Sequence, residues 1–113
     1  MTYARRRDEN HGEIEAALRQ MLGDHVTDSS AWAGGAGDLF ISFGGDSGPA
    51  YCCFVEIKRD AKATYTAHQI RFQKTHPGCV YRIETVDEAI RLAQYVRGMV
   101  RALSAVQPGE KTT

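Results

Sequence analysis

The chain has 113 residues, 42% hydrophobic and 25% charged, which is enough for one ordinary core and too little for two. Lys and Arg number 14, and so do Asp and Glu, so no net charge draws the whole molecule onto nucleic acid or an anionic membrane, and any such partner must be met by a local patch. No stretch is apolar for long enough to span a bilayer, and the opening M-T-Y-A-R-R-R-D-E-N has basic residues without an apolar run behind them; the expectation is a cytoplasmic chain with no signal peptide and no membrane partner.

Residues 1–7 read as a flexible basic end, residues 8–103 as the domain, and residues 104–113 as a disordered tail punctuated by Pro and Gly. Asp8 or Asn10 can cap a helix that runs to about Leu22, with Ile14, Ala17, Leu18 and Met21 as its apolar stripe and Gly23 as its stop. Glu13 lies beside that stripe, where a side chain can reach inward over a sheet or stay in solvent. A weak strand signal covers residues 25–30. The glycines of A-W-A-G-G-A-G follow, allowing sharp turns and close backbone approach. Neither G-x-x-x-x-G-K-[ST] nor G-x-G-x-x-G is completed there, so the loop does not cradle a nucleotide phosphate.

Asp38 opens a strand over residues 39–43, and the turn-rich G-G-D-S-G-P links it to a second strand, Y-C-C-F-V-E-I-K-R. Side chains alternate across a strand, so Glu56 and Lys58 share one face with Cys52 and Phe54, while Val55 and Ile57 point to the other. The hairpin then brings Asp38, at the start of the first strand, to the sheet edge where Glu56 and Lys58 end the second. Thr66 and Gln69 have capping-box spacing for a helix over residues 67–75, stopped by Pro77 and Gly78. A short strand over residues 79–83 and a second capping pattern, Thr85 with Glu88, precede the most regular helix of the chain, whose stripe is Val86, Ala89, Ile90, Ala93, Val96 and Val100 and which should fray after about Leu103. The elements predict an α/β fold, one mixed sheet with helices packed on it.

Hydrolysis of a phosphodiester needs negative charge on the phosphoryl oxygens to be stabilised. A hard cation such as Mg²⁺, with Mn²⁺ as its substitute, does this when held by one or two carboxylates. Asp38 and Glu56 fit that role, the Ile57 backbone carbonyl lies between Glu56 and Lys58 as a further oxygen, and Lys58 can orient water or offset developing charge. The alternative is a plain buried Glu56–Lys58 ion pair, a poor stability device that leaves Asp38 unexplained. Arg59, Lys62, Arg71 and Lys74 cluster around this site and the helix after it, suited to DNA phosphates or to solvation. Trp32 and Tyr65 can stack on a base or serve in packing. Cys52, Cys53 and Cys79, an odd number without C-x-x-C spacing, read as reduced core thiols, and the four histidines, without zinc-site spacing, as surface or DNA-facing groups.

The ordered set D-E-N-H-G-E-I, G-D-L-F-I-S-F, F-V-E-I-K, the Gln69 helix and Y-R-I-E-T-V-D-E-A-I resembles the PD-(D/E)XK nuclease superfamily. More narrowly, it resembles the small stand-alone VRR-NUC proteins common in bacteriophages and prophages, over roughly residues 8–92. That resemblance implies a restriction-endonuclease-like αβββαβ core, here with an extra C-terminal helix. It assigns Asp38 and Glu56 as metal-binding carboxylates, Lys58 as the catalytic lysine, Glu13 as a helix-borne acid in the metal's outer shell and Gln69 as the amide that orients groups around it. The family usually has Pro-Asp where this chain has Gly37-Asp38, which removes a rigid turn and should loosen the site. The implied activity is a divalent-metal-dependent DNA endonuclease, structure-selective for Holliday junctions or flaps and working as a homodimer. A non-catalytic DNA-binding or assembly module that kept the fold, or a nuclease subunit that needs a partner, stands against it.

Overall fold

The computed structural model describes residues 10–32, 34–46 and 48–105. The expected basic end and most of the expected tail lie outside them. In chain order the elements are helix α1 (His11–Leu22), a 3-10 turn (Gly23–His25), strands β1 (Val26–Asp28), β2 (Leu39–Gly44) and β3 (Ala50–Ile57), helix α2 (Ala67–Thr75), strand β4 (Val80–Ile83) and helix α3 (Val86–Ala105). The result is a mixed α/β fold around a four-stranded sheet of order β1-β2-β3-β4, antiparallel between β1, β2 and β3 and parallel between β3 and β4.

Register explains the layering. Pairing Leu39 with Val55, Ile41 with Cys53 and Ile57 with Ile83 puts these apolar side chains on one face, where they meet Ile14, Leu18 and Leu22 of α1 and Ala89, Leu92, Ala93 and Val96 of α3. α1 and α3 also pack on each other, so this face holds the core. The opposite face carries Phe40, Phe54, Glu56 and Arg82, again by register, with Phe40 opposite Phe54 and Glu56 opposite Arg82. α2 lies over it and buries none of its own residues; Phe72 meets Phe54 at 5.3 Å between ring centroids.

Several details differ from the sequence expectation. The stripe of α1 is rotated to His11, Ile14, Leu18 and Leu22, with Ala17 and Met21 half-buried at its edge. His11 is therefore a buried group, not a surface or DNA-facing one. Asn10 is the N-cap residue of α1, yet its side chain makes no capping bond. α3 runs to Ala105, two residues beyond the expected fraying point. Cys53 is buried, and burial pushes its thiol up to about 12. Cys52 is exposed, because alternation places it on the partly covered face, and so it is not a core thiol. No helix among the described residues is long and apolar enough to cross a membrane.

Candidate functional site

Three separate segments converge at the end of the β2-β3 hairpin. Asp38 is held by its backbone, its N–H donating to the Val55 carbonyl at 2.8 Å and its carbonyl accepting from the Ser29 N–H at 2.9 Å. Its Oδ2 then accepts the Ile57 N–H at 2.8 Å, which ties the carboxylate to the strand that carries Glu56. The turn before it differs from the rigid Pro-Asp of the resemblance, but it is not loose. Gly37 sits at φ 146°, and fully buried Ser29 donates its hydroxyl to the Gly37 carbonyl at 3.0 Å. A side chain at Gly37 would bring Cβ to 3.0 Å from the Val55 carbonyl oxygen, so backbone approach and backbone angle both call for glycine.

Glu56 is only 4% exposed. Its Oε2 accepts the Gln69 Nε2–H at 2.7 Å and lies 3.5 Å from Lys58 Nζ. The Gln69 amide cannot be turned the other way, because its Oε1 also closes the capping box of α2, accepting the Thr66 N–H at 2.9 Å while the Gln69 N–H donates to Thr66 Oγ1 at 3.1 Å. A backbone donor fixes which end is oxygen. The same Oε1 accepts from Lys58 Nζ at 3.2 Å. Glu56, Lys58 and Gln69 thus form a closed triangle whose third corner is oriented by a helix cap.

The electrostatics of the triangle are uneven. Burial first, and then the neighbouring Asp38 carboxylate, push Glu56 up from the usual 4.5 to about 7, and Lys58 offsets only part of this. Asp38 and Glu56 are also joined by a side-chain hydrogen bond, which favours a proton held between the two acids. Among the described residues no group of three or more His, Cys, Asp and Glu side chains converges as a ligand set. Two carboxylates do converge, with the Ile57 N–H bonded to Asp38, and that donor set suits a hard cation that retains several waters. It does not suit zinc, which needs a fuller shell of side chains.

The remaining expected residues lie further out. Glu13 is exposed on α1, and no hydrogen bond joins it to the triangle. Arg59 and Lys62 are exposed on the loop after β3, Arg59 facing Asp60 at 3.5 Å, and Arg71 and Lys74 are exposed on α2. Two residues to which the sequence assigned no role at the site support it. Asn10 donates through Nδ2 to the carbonyls of Lys58 at 3.1 Å and Glu84 at 2.7 Å, clamping the ends of β3 and β4 together. Arg82 bonds the Glu84 carboxylate at 2.6 Å and the Asp60 and Ala63 carbonyls at 2.8 Å each, shaping the loop that follows Lys58. Tyr65 on that loop lies between two cations, its ring centre 5.4 Å from Lys58 Nζ and 5.2 Å from the Arg82 guanidinium. Strand register alone puts Arg82 there, and no local pattern announces it. Compared with protein-family models, with curated proteins and with solved structures, the chain matches none of them.

Proposed function

We propose that the chain is a divalent-metal-dependent DNA endonuclease of the restriction-endonuclease-like, VRR-NUC-resembling kind. The observation that supports it most is the buried Glu56 carboxylate beside Asp38, pushed up to about 7 and coupled through Gln69 to Lys58. Beside the Glu56–Lys58 ion pair the second acid raises the cost of ionising the first, a cost that a bound cation would offset. Mg²⁺ held at Asp38, Glu56 and the Ile57 carbonyl would polarise the phosphoryl oxygens and lower the pKa of bound water. Lys58, held by Gln69 within reach of that position, orients the attacking water and offsets charge as it develops. Gln69 keeps the lysine and the carboxylate in one geometry throughout, and Arg59, Lys62, Arg71 and Lys74 contact the DNA backbone.

Selectivity for four-way junctions or flaps and a homodimeric, cytoplasmic enzyme of phage or prophage type complete the proposal. They rest on the sequence resemblance and on β4 being an edge strand of the sheet among the described residues. The test is cleavage of labelled junction, flap, linear duplex and single-stranded DNA with Mg²⁺ or Mn²⁺, alongside sedimentation to count protomers. Metal-dependent cutting should vanish in Asp38→Ala and Glu56→Ala while folding and DNA binding persist. DNA binding without cutting in the native chain would sink the catalytic reading and leave a binding module.

A further inference from the structure

Trp32, the only tryptophan in the chain, is 46% exposed although it is in ring contact with two other aromatics. Its indole lies against Phe40 at 5.5 Å and Phe54 at 6.0 Å between centroids, and those two rings are 4.9 Å apart. Phe54 meets Phe72 edge-on, and Phe72 stacks on His76 at 4.2 Å and 19°. The rings form a row across the sheet face opposite the core. This row is anchored on paired strands, with Phe40 directly opposite Phe54 in the β2-β3 register.

The row is continuous with the candidate site. Phe54 and Glu56 are two residues apart on one strand and share a face, so about 7 Å separates them along β3. Close to this row α2 adds exposed Arg71 and Lys74 beside Phe72, and Lys58 stands beyond Glu56. An aromatic surface flanked by cations matches a nucleotide, with a flat apolar base between charged phosphates, better than it matches an apolar protein face. A paired base inside a duplex is already stacked on both sides and cannot use such a surface.

We propose that Trp32, supported by Phe40 and Phe54, is a stacking platform for an unpaired nucleobase of the strand whose phosphate is held at Asp38 and Glu56. The substrate class is then DNA with unpaired nucleotides beside the scissile bond, not continuous duplex. The inference rests on the endonuclease reading for its second half, whereas stacking itself can be read without any cleavage.

The lone tryptophan provides the readout. Its emission should be quenched saturably by short oligothymidylate in EDTA, where nothing is cut, and much less by an abasic strand of the same length or by blunt duplex. Trp32→Leu should weaken oligothymidylate binding, followed by a label on the DNA, about tenfold, the loss of one stacked base, and leave duplex binding unchanged. Unquenched emission while oligothymidylate binds, or equal quenching by the abasic strand, overturns the platform. So does emission that changes with protein concentration before DNA is added, which would show a second copy covering the ring. Quenching without Mg²⁺-dependent cleavage keeps the platform and removes the nuclease; cleavage without quenching does the reverse.

Discussion

Gln69 Oε1 accepts the Thr66 N–H and the Lys58 ammonium at once, while Gln69 Nε2 donates to Glu56, so a helix cap and the candidate site share one amide. The capping-box spacing was visible in the sequence; its second use required β3 to pass alongside. Glu56 gives the residue-scale prediction. A folded-state pKa of about 7, raised from 4.5 chiefly by burial, means the folded chain holds this proton more tightly than the unfolded chain. The associated stability is fully present below about pH 4.5 and is lost as pH rises through about 7. Glu56→Gln removes that dependence. Near pH 8 without metal, the variant should resist urea better than the native chain by on the order of 3 kcal/mol, and near pH 4.5 it should hold no such advantage. Mg²⁺ at pH 8 should raise the urea midpoint of the native chain and not of the variant. A pH-independent difference between the two chains would show that Glu56 ionises normally.

Among the elements, the turn into β2 and the helix α2 contrast most. The Gly37-Asp38 turn departs from the Pro-Asp of the resemblance, yet Ser29 brackets it with two hydrogen bonds and the Val55 carbonyl receives the Asp38 N–H. Proline holds φ near −65° and cannot reach the 146° that Gly37 adopts. Gly37→Pro, the change that would create the Pro-Asp of the resemblance, should therefore destabilise the chain by about 1–3 kcal/mol and lower any cleavage activity; a variant as stable as the native chain in urea would refute this turn geometry. α2 buries no residue and depends on its cap, on Phe72 and on the close seating of the glycine loop, where a Cβ on Gly35 would come within 2.8 Å of the His68 backbone. Local order in α2 is thus set by its own capping box together with contacts to segments distant in sequence.

For the whole molecule, equal numbers of acidic and basic residues mean that any DNA affinity has to come from a few local contacts. Arg59, Lys62, Arg71 and Lys74 are exposed on the loop and helix that follow β3. If all four meet phosphates of a duplex, log K should fall against log salt with a slope of about −4, and Arg71→Ala combined with Lys74→Ala should bring it to about −2. A slope unchanged by the double substitution would move the DNA surface elsewhere. The same face carries the carboxylates and the aromatic row, of which Trp32 and His76 are exposed, while the other is closed by α1 and α3. One sheet therefore separates a packing face from a polar and aromatic one.

Alternating and helical periodicity, turn residues and capping spacing lie within short windows, which is why the element order, the β2-β3 hairpin and the meeting of Asp38 with Glu56 and Lys58 could be derived from the sequence. Those patterns also placed Phe54 and Glu56 on one face. What depended on contacts between distant segments was decided only by the tertiary structure. The helix that offers Glu13 is turned by His11 and Leu22 packing into the core, which leaves that acid exposed. Asn10 leaves its cap to join β3 to β4, since the Lys58 and Glu84 carbonyls need a donor at that junction. Arg82 reaches the loop after Lys58 because a parallel crossover sets it beside Glu56, and no window of sequence contains both.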